Sequence, residues 1–283
     1  MTTQTTPGVE RATRVLDLLA KNSGEEFSLS EIARRLDISK ATCHALLTSL
    51  ASTGFLVRHP MRSTYRLGPA LIAIGRAAEE GFPALDIARD EMRALAGRVR
   101  LDCIAGAAVD GEMVVLERAA AELLVGIAVQ VGQRLPLAPP LGTIFLAWSA
   151  QDEIDRWLLR LGPKVTRREL QRYRVAVDAV RRRGYAVGIA PRPGAPAGAR
   201  LADVVHLADD DAALRELQAA QPHGVSYVVA PVFDADGSVA LALTLVGFPH
   251  QITEETAPAL ARELCQSAQR ITTAIHGRAP QPT

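Results

Sequence analysis

Within residues 39–44 the chain places Ser39, Lys40, Ala41, Thr42 and His44. A hydroxyl and an imidazole can donate or accept hydrogen bonds at the edges of DNA bases, and an alanine methyl packs against a thymine methyl. An ammonium group beside the free amides of a helix start binds phosphate. Further on, Arg58, Arg62, Ser63 and Thr64 form a second polar, basic group suited to the DNA backbone or a minor groove. With Ser28, at the start of the preceding helix, these residues make a candidate contact set for double-stranded DNA. Two plainer readings stand beside it: a helix-turn-helix that serves only protein contacts, and a charged hairpin tip that is merely solvated.

Enzyme chemistry has little to build on. There is no H-E-x-x-H, no G-x-S-x-G, no P-loop and no G-x-G-x-x-G after a strand. The six histidines are His44, His59, His206, His223, His250 and His276, none at short metal-ligand spacing. His206 with Asp203, Asp209 and Asp210 could hold a metal, although a solvated loop is the simpler account. Cys43, Cys103 and Cys265 form no C-x-x-C pair, which argues against a disulfide framework or zinc site and suits a reducing cytoplasm. No catalytic residue, cofactor or metal is therefore expected.

The elements that must hold the polar groups can be read from periodicity. Residues 9–21 carry Val15, Leu18 and Leu19 at helical spacing, and Asn22-Ser23-Gly24 ends the run. Ser28-Leu29-Ser30-Glu31 is a capping box that opens a helix burying Ile32, Ala33 and Leu36. Ser39 caps a third helix over 40–52, with Leu46, Leu47 and Leu50 facing inward, and Gly54 stops it. The period then changes to two: Phe55-Leu56-Val57 and Tyr65-Arg66-Leu67 predict two strands with a basic tip between them. Three helices followed by a basic hairpin predict a winged helix-turn-helix over 1–67.

Residues 68–81 predict a stiff connecting helix whose stripe of Leu71, Ile72 and Ile74 among alanines is too apolar to stand alone, so pairing with a second copy is expected, setting two recognition helices against a (pseudo)palindromic operator; the plainer reading is a helix folded back on its own domain. A domain over 82–283 follows. It should contain a helix over 84–99, strands near 102–109, 112–119 and 123–131, and helices near 141–149, 151–160 and 166–183. Strands near 184–190, 225–233 and 238–246 and a helix over 253–276 complete it. Asp110-Gly111 and Asp234-Ala235-Asp236-Gly237 mark hairpins, and Ala190–Gly198 is too rich in Pro and Gly for regular structure. The fold class predicted is α+β: a winged helix-turn-helix followed by an antiparallel sheet flanked by helices.

Composition agrees with two globular domains in 283 residues, 48% of them apolar and 22% charged. The net charge of +1 is unevenly spread. Residues 1–66 hold nine basic and six acidic side chains, which leaves 23 basic and 25 acidic in the rest. A mildly basic N-terminal module on a slightly acidic body suits an anion-binding module. No stretch approaches the roughly 18 apolar residues of a membrane span, and Met1–Glu10 lacks the apolar core of a signal peptide. A cytoplasmic protein with no membrane partner is expected.

The segments SLSEIARRLDISKATCHALLTSLASTGFLVRHP and YRLGPALIAIG resemble the DNA-binding half of the IclR-type (isocitrate lyase repressor-like) bacterial transcription regulators. The resemblance continues in VGQRLPL (131–137), GYAVG (184–188), GVSYVVAPVFDADG (224–237) and the closing helix. A helix-turn-helix alone is shared by many families; its combination with PVFD-x-DG is fairly specific.

The resemblance implies a homodimer or tetramer and a GAF-like C-terminal domain that binds a small organic effector, often a carboxylate or an aromatic. It places the effector between the strand pair 225–246 and the segment 134–146. There Leu135, Leu137 and Leu141 would be apolar walls, Tyr227 and Thr244 would offer hydroxyls, and the Gly142 and Thr143 amides would sit at a helix start. The chain departs from the family pattern in three ways. Ala138-Pro139-Pro140 stands where a histidine is common, Tyr227 stands where a cysteine is usual, and Thr244 with Val246 replaces two polar residues. Polar groups are thus subtracted, and an apolar or aromatic effector is expected over a small dicarboxylate. The rival reading is a DNA-binding protein whose C-terminal domain only oligomerises, with Tyr227 filling a closed core.

Overall fold

The computed structural model describes residues 6–22, 24–121, 129–139, 141–163, 165–189, 206–207, 225–248 and 256–280. Most of the anticipated strand 123–131, the Pro-rich stretch 191–198 and the aspartates grouped with His206 lie outside these residues. The chain divides into two units, Met1–Gly81 and Phe82–Thr283, so the helix after the hairpin groups with the first.

The first unit runs α1 (Pro7–Lys21), β1 (Phe27–Ser28), α2 (Leu29–Leu36), α3 (Lys40–Ser52), β2 (Leu56–Arg58), β3 (Thr64–Leu67) and α4 (Ala70–Glu79). Its core joins Val15 and Leu19 of α1, Ile32 and Leu36 of α2, Cys43 and Leu47 of α3, and Leu56 and Tyr65 of the hairpin. Leu46 and Leu50 are only half-buried, because Cys43 and Leu47 take the inner face of α3. The three strands form an antiparallel sheet in the order β1-β3-β2. The two-residue strand β1 is too short to leave a period in the sequence.

The second unit contains α5 (Pro83–Val99), β4 (Asp102–Val109), β5 (Glu112–Ala119), β6 (Arg134–Pro136), α6 (Thr143–Leu146) and α7 (Gln151–Leu158). A short turn of 3-10 helix, Leu159–Leu161, then leads to α8 (Arg167–Arg183), β7 (Ala186–Ile189), β8 (His206–Leu207), β9 (Val225–Phe233), β10 (Val239–Val246) and α9 (Thr256–Ala274). Among the described residues the strands make one antiparallel sheet in the order β6-β5-β4-β10-β9-β7-β8. The first hairpin turns at Asp110 and Gly111, both at positive φ (51° and 77°), as a tight two-residue turn requires. The α+β class is therefore as the sequence predicts. No helix among the described residues is long and apolar enough to cross a membrane.

The period of two along the strands sorts side chains to two faces. On one face Cys103, Ala105 and Ala107 of β4, Val228, Ala230 and Val232 of β9, and Leu241, Leu243 and Leu245 of β10 pack under α5 and α9. On the other face Val229 and Ala242 meet α6, α7 and α8 through Ile144, Trp157, Val177 and Val180. Two expectations change here. The helix anticipated over 141–149 is only Thr143–Leu146, with Gly142 at φ 89° before it. Residues 129–131, at the end of the anticipated third strand, are not strand; β6 takes that edge of the sheet instead.

Candidate functional sites

In the first unit, the turn between α2 and α3 is tied on both sides. Ser28 caps α2, its hydroxyl accepting from the Glu31 amide while the Glu31 carboxylate accepts from the Ser28 amide and hydroxyl. Asp37 takes a left-handed conformation (φ 53°), the Ile38 amide returns to the Ala33 carbonyl, and Arg14 donates to the Leu36 carbonyl at 2.8 Å. Ser39 then caps α3 by accepting from the Thr42 amide at 3.1 Å, and its hydroxyl lies 2.9 Å from that of Thr42.

Lys40, Ala41 and His44 are exposed at the start of α3, and Thr42 is half-buried. Ala45, Thr48 and Ser49 extend the same exposed surface. The sequence reading stopped before them, although i+4 and i+7 spacing from Ala41 points to Ala45 and Thr48. In the hairpin, Arg58 donates to the Ser63 hydroxyl at 2.9 Å. The His59 Nδ1 accepts from the amides of Met61 and Arg62, which folds the tip. Arg62 is exposed.

Two residues of the DNA set are committed elsewhere. The Ser28 hydroxyl is spent on its capping box, and the Thr64 hydroxyl donates to Glu26 at 2.6 Å, tying the hairpin to the start of β1. That bond is the main cause of the lowered Glu26 pKa.

In the second unit, the sheet face opposite α5 and α9 borders a cavity of about 90 Å³. Strand residues supply most of the wall: Ile104 and Gly106 of β4, Met113 and Val115 of β5, Leu135 of β6, Ala186 of β7, Tyr227 and Val229 of β9, and Thr244 and Val246 of β10. Val129, Leu141, Gly142, Thr143 and Ile144 complete it. Ile104, Thr244, Val229 and Ala186 lie directly opposite one another across four strands, so one row of the sheet forms the floor. None of these lining residues carries a charge.

The Tyr227 ring owes its position to Gly188, its cross-strand partner. A Cβ at Gly188 would lie 2.1 Å from ring carbon Cε1 and 2.4 Å from Cζ. The ring therefore covers the glycine, a known way for an aromatic side chain to fill the gap that a strand glycine leaves. Tyr227 is half-buried, and burial pushes its phenol pKa up, with a smaller contribution from Tyr173. At neutral pH it is a hydrogen-bond donor.

The segment leading into α6 hangs on the helix beyond it. Trp157 donates its indole N–H to the Leu141 carbonyl at 3.2 Å, and Arg160 donates to the carbonyls of Leu137 and Gly111 at 2.8 and 2.9 Å. Arg181 bonds the Ala147 and Ser149 carbonyls after α6. At the end of β5, Arg118 donates to the Asp102 carboxylate and to the Val129 carbonyl, while Asp102 also accepts from the Ala121 amide.

Of the seven residues assigned to an effector, six line this cavity: Leu135, Leu141, Gly142, Thr143, Tyr227 and Thr244. Leu137 does not; it packs against Gly142 in the cluster with Ile144 and Trp157. The walls from β4, β5 and β7 were missed. Counting in steps of two from Tyr227 and Thr244 gives Val229 and Val246 directly, but the others require strand order and register. Burial holds the Cys103 and Cys265 thiols up, to about 12 and about 11, so neither is primed as a nucleophile.

The model of the IclR helix-turn-helix domain matches residues 8–60. The HTH-type transcriptional regulator XynR of Escherichia coli (strain K12) is 28% identical over 151 residues, which cover 53% of this chain and 60% of XynR. The match thus spans less than two thirds of that relative's length. The crystal structure of an IclR transcriptional regulator from Alicyclobacillus acidocaldarius is 27% identical with a TM-score of 0.66, over 96% of this chain and 100% of that one. An IclR homolog from Microbacterium hydrocarbonoxydans, complexed with 4-hydroxybenzoate, shares the fold at 20% identity and a TM-score of 0.64, over 95% and 98% of the two chains. Residues 8–60 thus match an IclR helix-turn-helix domain, and along its length the chain is similar in fold to a solved IclR transcriptional regulator.

Proposed function

We propose that this chain is a cytoplasmic transcriptional regulator that binds a (pseudo)palindromic operator as a homodimer and responds to a small, largely apolar organic effector. The observation that carries the DNA half is the capped start of α3. Lys40, Ala41 and His44 stand exposed there on a helix whose entry turn is fixed by four separate hydrogen-bonded contacts, from Arg14, Ile38, Ser39 and Thr42. α3 enters the major groove, with His44 and Thr42 at base edges and Lys40 on phosphate, while Arg58 and Arg62 meet the backbone. Ser28 and Thr64 act at one remove, by holding α2 and the hairpin in place.

The cavity in the second unit supports the sensing half. It is bordered by apolar side chains with a few hydroxyls and helix-start amides, the usual make-up of a small-molecule site. The complex of the Microbacterium homolog with 4-hydroxybenzoate fits a fold that accepts a small aromatic. The exposed Ile72 and Ile74 of α4, 62% and 51% accessible, supply an apolar stripe for pairing two copies.

Selection of bound sequences from random duplexes with the full chain tests the reading. Enrichment of an inverted repeat is expected. Enrichment of no sequence, or of one unrepeated site, counts against a dimeric operator-binding regulator.

A further inference from the structure

We infer that the cavity takes an uncharged single-ring or short-chain molecule bearing one oxygen group, that it excludes carboxylates, and that Tyr227 selects the oxygen end. This rests on the reading of the second unit as an effector-binding domain.

The argument begins with charge. No described residue on the cavity wall is ionisable near neutral pH. Three guanidinium groups that hold the segments around the wall are already committed. Arg118 is held by Asp102 and the Val129 carbonyl, Arg160 by two backbone carbonyls, and Arg181 by the carbonyls after α6. A carboxylate placed here would lose its hydration and gain no cation from the described residues. Its pKa would rise and it would enter as the neutral acid.

Polarity comes next. The hydroxyls on the wall belong to Tyr227, Thr143 and Thr244, and the rest is aliphatic apart from the Met113 thioether. A phenol is protonated at neutral pH in any case, and burial only raises the Tyr227 pKa further, so Tyr227 offers a proton to an alcohol, phenol or carbonyl oxygen. Size sets the last limit. A cavity of about 90 Å³ is small beside the roughly 300–1,000 Å³ of sites for drug-sized ligands, which points to one ring or a short chain and not a fused system. Gly188 holds that volume open by letting the Tyr227 ring lie flat on the sheet.

Calorimetric titration of the full chain with benzyl alcohol, benzoate and toluene tests the inference, with Tyr227→Phe as the second protein. Phe keeps the ring over Gly188, so the fold is retained. Benzyl alcohol should bind, and benzoate should bind at least about tenfold more weakly near neutral pH. Benzoate should then gain up to about tenfold per pH unit as the pH is lowered, since only the acid form enters. Tyr227→Phe should weaken benzyl alcohol about fivefold, the effect of one neutral hydrogen bond, and leave toluene unchanged. Benzoate binding as tightly as the alcohol near neutral pH would overturn the exclusion of carboxylates while leaving an effector domain in place. Equal binding of the alcohol to both proteins would remove Tyr227 as the selector. Failure of all three probes would remove the inference together with the effector reading.

Discussion

Gly188→Ala separates the cavity from the stability of the sheet that carries it. Gly188 is not at positive φ, so alanine meets no backbone strain and gains about 0.5–1 kcal/mol over glycine in a strand. Its Cβ, however, would sit 2.1, 2.4 and 2.6 Å from Cε1, Cζ and Cδ1 of Tyr227. Ordinary contact needs about 3.5 Å or more, so the ring must lift by more than 1 Å. The sheet lies beneath it, and the open space is the cavity. Overpacking of this kind costs about 1–3 kcal/mol; set against the alanine gain, the net loss should be about 0–2.5 kcal/mol. Binding should suffer far more, because a displaced phenol occupies much of a 90 Å³ space. Both tryptophans, Trp148 and Trp157, belong to the second unit, so urea unfolding followed by tryptophan emission reports that unit. Calorimetry with benzyl alcohol reports the cavity. The expected pattern is near-native stability with binding weakened beyond about thirtyfold, and recovered in Gly188→Ala with Tyr227→Ala only to within the roughly fivefold loss of the Tyr227 hydroxyl. Unchanged binding in Gly188→Ala would refute the claim that the ring bounds the cavity, and a loss above about 4 kcal/mol would mean that the pair is a packing element of the sheet first.

Replacing His44 by alanine should cost about 1–3 kcal/mol on a selected operator and much less on random DNA, measured by titration of labelled duplexes; Arg62→Ala should weaken both and flatten the salt dependence. Ile72→Glu with Ile74→Glu on the exposed face of α4 should shift sedimentation at micromolar concentration toward monomer, and an unchanged dimer would move the pairing elsewhere. The Glu91 carboxyl, between α5 and α9, is held below the usual range by hydrogen bonds from Arg270 first and Ser267 second, with Arg98 adding charge. Its contribution is therefore complete above the ordinary carboxylate pKa and is lost as pH falls through the lowered folded value. Glu91→Gln should cost about 1–2 kcal/mol near neutral pH and progressively less in acid, read by urea unfolding across pH; a pH-independent difference would show that the charge is not what matters.

Much of this was legible because local signals agreed. Ser28 with Glu31, Ser39 before α3, and Asp110-Gly111 are short-range devices whose outcome depends on a few neighbouring residues, and β4 and β5 have the bounds expected from them. The cavity was only half legible. Tyr227 and Thr244 could be found along their own strands, whereas Gly106, Val115 and Ala186 become neighbours only through the order β5-β4-β10-β9-β7. Gly188 illustrates the limit: its role lies in the ring across from it, 39 positions along the chain at Tyr227. The commitments of Ser28 and Thr64 were hidden for a related reason, since a hydroxyl's type does not say which acceptor reaches it first. Leu137 lies off the cavity wall because its side chain packs against Gly142 with Ile144 and Trp157, a contact between segments that the sequence does not announce.

The alternation of the strands has a further consequence for how such a site can change over evolutionary time. Cavity positions on β4 and β10 alternate with core positions: Ile104 lies between Cys103 and Ala105, and Thr244 between Leu243 and Leu245. A single inserted or deleted residue in these strands would exchange the two faces, turning ligand-facing groups into the helical core and core groups into the cavity. The strands can therefore vary in side chain but not in length. Length variation is left to places outside the paired rows, such as the turns at Asp110-Gly111 and Asp234–Gly237. Descendants of this chain could acquire new chemical preferences by exchange at Tyr227, Thr244 or Met113 while the sheet keeps its register.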